Sequence, residues 1–188
     1  MNKKILLVDC GSDYIIDLER SLTSLDCDVV RIKFFELSNI DSEIDEIVIS
    51  GSPTLLTEVG FKPYYEKMDL ILKSKKPLLG VCFGHQLLGM YYGSKISIGE
   101  KRVDMVDVKW VDSSDLFRGF ELNHAEFGQW HREEIDLPED FICIASSSQT
   151  SIEAMKHKDL HFYGVQFHPE ISGKNGLLLL KNFLKLLE

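Results

Sequence analysis

The sequence predicts a three-layer α/β fold with a mainly parallel central sheet, and three observations predict it. Short apolar runs without polar alternation recur through the first half, amphipathic stripes at helical spacing stand between them, and glycine-containing turns close several of the runs. A strand that is apolar on both faces needs a layer on each side of it, which is the condition of a parallel sheet covered by helices.

The first such run is Lys4 to Asp9 (KILLVD). Ile15, Leu18, Leu22 and Leu25 follow at intervals of three and four, one face of a helix, before a second run at Val29 to Ile32. A third run, Glu46 to Ser50, ends in Gly51, Ser52 and Pro53; a helix is expected around Tyr64 to Lys73 and a fourth strand from Pro77 to Cys82. In such a fold functional groups gather at the carboxyl ends of the strands. From about Lys95 the pattern changes. Val106, Val108 and Trp110 alternate with Asp107, Lys109 and Val111, and Phe141 to Ala145 and Phe162 to Phe167 are further strand candidates, so the second half is expected to be richer in strand. Leu177, Leu178, Leu180, Phe183, Leu184 and Leu187 make a closing amphipathic helix. No internal repeat, low-complexity tract or linker interrupts the chain.

With 188 residues and 44% hydrophobic composition, one domain over 1–188 is expected. Lys and Arg number 21 against 30 Asp and Glu, a net charge of −9 whose field repels phosphate backbones and anionic lipid; neither nucleic acid nor membrane is an expected partner. The apolar run Ile5 to Val8 stops at Asp9, far short of a signal-peptide core or a bilayer span. Cys10, Cys27, Cys82 and Cys143 are scattered, with no spacing that suggests zinc or a disulfide framework, which fits a reducing cytoplasm. Cys10, Cys27 and Cys143 border apolar runs and read as small core residues. His124, His131, His157 and His161 have no partner spacing that would build a metal site, and none is expected. The Glu133-Glu134 and Asp112 to Asp115 patches read as solvated faces.

The chemistry concentrates in Pro77 to Tyr92 (PLLGVCFGHQLLGMYY), where an apolar strand runs through Gly80-Val81-Cys82-Phe83-Gly84 into a helical pattern. This is the form of a nucleophile elbow written with cysteine: the central residue sits on a strained strand-to-helix turn, and the flanking positions are glycine because a Cβ there would meet the neighbouring chain. A sulfur at a helix start is favoured as thiolate by unpaired amides and the dipole. The plainer alternative is a buried structural thiol. A cysteine nucleophile needs a base, and the base an orienting group. Gly164 to Glu170 (GVQFHPE) supplies both, since His168 and Glu170, two apart in extended chain, point to one side, with Pro169 stiffening the link. By itself His-Pro-Glu is more often a surface turn; paired with Cys82 it reads as catalytic.

These segments, with VDCGSDY at Val8 to Tyr14, ISGSP at Ile49 to Pro53 and EAMKHK at Glu153 to Lys158, make the chain resemble class I (triad) glutamine amidotransferases, and within them the glutaminase subunits of two-chain GMP synthetases. The resemblance runs along nearly the whole chain. It implies a flavodoxin-like fold and puts Cys82, His168 and Glu170 on the triad: Cys82 attacks the side-chain amide of L-glutamine, His168 protonates the departing nitrogen, and water hydrolyses the γ-glutamyl thioester. By the same analogy the backbone N–H of Phe83 and one from the Gly51 to Ser52 turn form the oxyanion hole, Gln86 helps seat the substrate, and the contacts to its α-amino and α-carboxylate groups map to Trp130 and His131. His85 comes with the motif and is assigned no chemistry.

The chain departs from the family at three positions. Ser52 stands where glycine usually precedes the proline; it keeps the amide donor but restricts the peptide, which admits a flipped, inactive turn in the unpartnered chain. Trp130-His131 replaces Ser-His of the GMP synthetase group, which bears on substrate fit and on the subgroup, and Asp13 replaces a common glutamine. The sequence carries no G-x-x-x-x-G-K-[ST] phosphate cradle. The ammonia is therefore expected to pass to a separate ATP-dependent synthetase, by resemblance of the ATP-pyrophosphatase type and holding the ATP and magnesium, with xanthosine monophosphate as the acceptor that analogy suggests; low glutaminase activity is expected of the isolated glutaminase chain. The competing readings are an amidotransferase subunit for another acceptor, a free-standing γ-glutamyl thiol hydrolase, which would be fully active alone, and a noncatalytic module that keeps the fold.

Overall fold

The structure, a computed structural model, describes residues 2–113 and 115–186. The apolar runs become β1 (Lys3–Asp9), β2 (Cys27–Lys33), β3 (Glu46–Ile49) and β4 (Leu78–Val81), and the helical stripes become α1 (Ile15–Thr23) and α3 (Tyr65–Lys73), with a short α2 (Leu56–Val59) between β3 and α3. After the elbow come α4 (Phe83–Tyr91), β5 (Ile96–Arg102), β6 (Met105–Trp110), β7 (His124–Gly128), β8 (His131–Ile135), β9 (Phe141–Ser146), β10 (Ala154–His157), β11 (Phe162–Val165) and α5 (Gly173–Leu184).

One sheet has the order β2-β1-β3-β4-β11-β10-β9-β6-β7, and β5 pairs with β8 in a separate ribbon. The first five positions are parallel and follow the flavodoxin order, with β11, from late in the chain, in the fifth place. The remaining ladders, β11 to β10, β9, β6 and β7, are antiparallel, so the strand-rich second half extends the parallel sheet rather than forming a second one. Along β1, Ile5 and Leu7 join a core with Leu18 and Leu22 of α1 and Leu180 and Phe183 of α5. Leu6 and Val8 point the other way, to a core with Met68 and Ile71 of α3 and Leu87 and Leu88 of α4. That alternation across β1 is what makes three layers.

Three readings of the sequence are corrected. The buried stripe of α5 is Leu179, Leu180, Phe183 and Leu184, and Leu177 faces solvent; in a run of four leucines periodicity cannot choose the face. Leu187 lies outside the described residues, as does Ser114 within the Asp112 to Asp115 patch. Cys143 is exposed on the outer face of β9 rather than in the core. Glu133 is 1% exposed, not solvated: its carboxylate accepts from the amides of Leu56 and Thr57 at 2.8 and 2.7 Å, tying β8 to the first turn of α2. Among the described residues no helix is long and apolar enough to cross a membrane.

Candidate active site

The site forms where β3, β4 and β11, neighbours in the sheet, end together. Cys82 follows β4 and turns the chain: its N–H still donates to Val165 of β11 at 2.8 Å, while its carbonyl accepts from Gln86 at 3.0 Å and begins α4. Its backbone has φ 50° and ψ −101°, a conformation that a residue with a Cβ rarely adopts, as the elbow requires. The glycines are needed for the reason the sequence suggests. A Cβ on Gly80 would stand 2.5 Å from the backbone carbonyl of Gly84, and one on Gly84 2.5 Å from the carbonyl oxygen of Ile49 in β3.

His168 lies three residues past the end of β11, in extended backbone. Its N–H donates to the Gly128 carbonyl at 2.8 Å, and the Ser172 hydroxyl donates to its carbonyl at 2.6 Å. The strand predicted to reach Phe167 stops at Val165, and Glu170 comes back to the ring through a single 3₁₀ turn over Pro169–Ile171 rather than by extended alternation. The result is the predicted pair: His168 Nδ1 is 2.7 Å from Glu170 Oε1, with the two side chains 3% and 1% exposed. Burial opposes charge on this imidazole, but the nearby Cys82 sulfur and the Glu170 carboxylate outweigh it and hold the His168 pKa well above the usual value. The arrangement favours an imidazolium beside the sulfur.

Cys82 and His168 converge on Gly51. A Cβ built there would be 2.9 Å from His168 Cε1 and 3.7 Å from Cys82 Cβ, so glycine leaves the clearance between the cysteine and the imidazole. Beside them opens a cavity of about 380 Å³, lined by Cys82, Ser52, Gln86, Trp130 and His131, all predicted site residues, and also by Asp13 and Lys101. The Cys82 thiol donates to the Trp130 carbonyl at 3.6 Å. Phe83, the predicted oxyanion donor, is the first residue of α4, where an amide has no acceptor within its own helix. Gln86 is nearly buried, and its Nε2 already donates to the Glu133 carbonyl at 2.9 Å, which leaves its oxygen as the free end. His131 is buried, and burial lowers its pKa to about 4, so it meets the cavity as a neutral ring. His85 is likewise kept neutral by burial, its pKa lowered to about 3; it packs under Gly164, away from the chemistry.

Sequence reasoning missed three contributors. Gln166 donates from Nε2 toward the Cys82 sulfur at 3.8 Å, and its place two residues before His168 was the available signal. Tyr14 sets its ring edge against Trp130 and His168, at 6.2 and 5.5 Å between centroids. Lys101 stands 4.6 Å over the Trp130 ring; it lies on β5, a strand whose polar pattern gave no hint of a wall.

Behind Trp130, the Gln129 side-chain amide donates to both oxygens of Glu153, at 3.0 and 2.9 Å, and the Glu153 carbonyl accepts from the Gln166 amide. Glu153 is fully buried, and burial raises its pKa from 4.5 to about 7. A carboxyl raised in the folded state contributes stability that is present below its ordinary value and lost as pH climbs through the raised one, here from 4.5 to about 7. Replacing Glu153 with Gln removes that loss and gives the unpartnered Gln129 Oε1 a donor. The variant is expected to melt a few degrees above wild type at pH 8 and no higher than wild type at pH 5, as thermal denaturation across that range would read.

The family model "Glutamine amidotransferase class-I" matches residues 6–187. A glutamine-hydrolysing GMP synthase subunit from Methanococcus maripaludis is 34% identical over 96% of this chain and 95% of its own length. The corresponding subunit from Pyrococcus furiosus is 32% identical over 97% of each. The crystal structure of a putative GMP synthase subunit from Thermoplasma acidophilum superposes with a TM-score of 0.87 at 25% identity, over 99% of this chain and 94% of that one.

Proposed function

This chain belongs to the class-I glutamine amidotransferases, enzymes that hydrolyse glutamine, and we propose that Cys82, His168 and Glu170 are the residues with which it does so. The observation that carries the proposal is the convergence on Gly51 of a strained elbow cysteine and a buried imidazole fixed at 2.7 Å by a carboxylate. The Cys82 thiolate adds to the side-chain carboxamide carbon of L-glutamine, and the electron pair of the C=O moves onto oxygen, where the amides of Phe83 and of the Gly51–Ser52 turn receive the charge. As the oxyanion collapses, His168 gives its Nε2 proton to the nitrogen, the C–N bond breaks and ammonia leaves a γ-glutamyl thioester. Neutral His168 then takes a proton from water; the hydroxide adds to the thioester carbon, thiolate departs and glutamate is released. Gln86, Trp130 and His131 line the cavity in which the amino-acid end is seated.

The finer assignment is a single amidotransferase domain over 1–188 that works in the cytoplasm as a glutaminase subunit. It passes ammonia to a separate ATP-pyrophosphatase-type synthetase that holds ATP and magnesium, for GMP synthesis from xanthosine monophosphate. Similarity over nearly the full length to glutamine-hydrolysing GMP synthase subunits supports it. Trp130, which lines the cavity where the GMP synthetase group has serine, bears against that subgroup, and the second reading is a stand-alone γ-glutamyl thiol hydrolase. A glutamine-mimicking diazo ketone, followed by mass spectrometry of the digested protein, tests the shared chemistry: the adduct is expected on Cys82. Labelling that strengthens when the synthetase is added selects the subunit, equal labelling and full hydrolysis without it select the free hydrolase, and no labelling under either condition removes both.

A further inference from the structure

Resting on that glutaminase reading, we infer that Ser50 is a positioning residue that locks the Gly51–Ser52 peptide with its N–H toward the oxyanion. Ser50 directly follows β3 and is fully buried. Its hydroxyl oxygen accepts from the Cys10 amide at the end of β1, at 2.9 Å, and its proton goes to the Gly51 carbonyl at 3.0 Å. A hydroxyl has one proton, and an amide aimed at its lone pairs leaves that proton little freedom to rotate. The Gly51 carbonyl is thereby held against the hydroxyl on the β1 side of the turn.

The sheet order converts this into a direction. β3 lies between β1 and β4. A peptide is planar and trans, so the Ser52 N–H opposes the Gly51 C=O. With the carbonyl held toward β1, the N–H projects toward the end of β4, where Cys82 stands and where Ser52 lines the cavity. Reversing the peptide would trade the Gly51 carbonyl for the Cys10 sulfur, a weak acceptor, as the partner of the Ser50 proton, which disfavours the flipped turn. The Ser52 hydroxyl accepts from the Thr54 amide at 3.2 Å, so its side chain is engaged downstream and does not compete for this peptide. Serine in place of the family glycine is thus accommodated in the productive orientation.

Ser50→Ala tests it, because it removes the latch and touches neither the sulfur nor the imidazole. The kcat for glutamine hydrolysis is expected to fall about tenfold to a hundredfold, at or below the hundredfold to thousandfold that outright removal of an oxyanion donor costs, because the peptide is freed to turn rather than lost. KM is expected to stay within about twofold, since the peptide acts on charge that develops after binding. Alkylation of Cys82 by iodoacetamide, a displacement at saturated carbon with no carbonyl oxyanion, is expected to keep its wild-type rate, while the melting temperature falls by a few degrees because the Cys10 amide loses its acceptor. A kcat within about twofold of wild type overturns the latch; so does an equal loss in iodoacetamide alkylation, which would mean that the whole site had shifted. A wild-type chain that takes the diazo-ketone label on Cys82 but shows no glutamine turnover overturns the latch and leaves the glutaminase reading standing, whereas a chain with neither loses both.

Discussion

Replacing Cys82 with Ala is expected to lower glutamine hydrolysis by a factor of about 10⁴ or more, the scale on which removal of a covalent nucleophile is felt. No neighbouring group can take over. Gln166 and the Trp130 carbonyl, which stand beside the sulfur, are an amide and a backbone oxygen; of the remaining cysteines, burial raises the thiol pKa of Cys10 and Cys27 and so disfavours their thiolates, and Cys143 faces solvent. The fold is expected to survive. Alanine has the same Cβ as cysteine, so the positive φ at position 82 costs it the same, and the hydrogen bonds that the sulfur makes, at 3.6 and 3.8 Å, are weak. A melting temperature within a few degrees of wild type, together with glutamate release at the background rate, is the expected pair of results. In the presence of the proposed synthetase, the variant should still support product formation from added ammonium salt but not from glutamine. Glutamine-dependent turnover that persists in Cys82→Ala removes the thioester and with it the catalytic reading of the elbow.

The parallel half of the fold was legible because each buried strand there is written in uninterrupted apolar residues, as in KILLVD and EIVIS, and each helix shows a stripe. The elbow was legible for a different reason: its two glycines mark places where backbone meets backbone, and a Cβ added at either would stand 2.5 Å from neighbouring backbone. Of the strands that escaped, β5, β7, β8 and β10, the clearest case is β8, which carries its specificity in polar atoms. β8 buries His131 and Glu133 on the same side as Ile135, so hydrophobic periodicity sees one residue where the structure sees three. Glu133 looks like a surface charge until the two amides of α2 that it receives are brought to it from far earlier in the chain. Cavity walls assembled from such long-range polar contacts, Lys101 over Trp130 among them, have no local signature. The triad did, because His168 and Glu170 share one short motif and Cys82 sits in a motif of its own.

The second large effect belongs to Glu170→Gln, which keeps the shape of the side chain and removes its charge. Glutamine hydrolysis is expected to fall by about 10² to 10⁴, the loss seen when the orienting carboxylate of a catalytic triad becomes an amide. Two causes act together. Glu170 Oε1 lies 2.7 Å from Nδ1 and takes the proton there, which leaves Nε2 as the ring nitrogen for proton exchange; an amide can present its NH₂ to Nδ1 instead and force the proton onto Nε2 of a neutral ring, the tautomer that cannot take a proton from the thiol. The carboxylate also helps to hold the His168 pKa well above its usual value, after burial has pulled it down and the sulfur has pulled it up. Without that charge the imidazolium persists over a narrower range, so the alkaline limb of the kcat/KM profile, where His168 loses the proton that ammonia needs, moves to lower pH. A merely structural role for Glu170 would lower activity at every pH alike and leave that limb where it was. Among the described residues Glu170 Oε2 has no hydrogen-bond partner, so the hydrogen bond that the substitution changes is the one to His168. A profile scaled down but unshifted would therefore separate Glu170 from the proton chemistry and leave it as packing behind the ring.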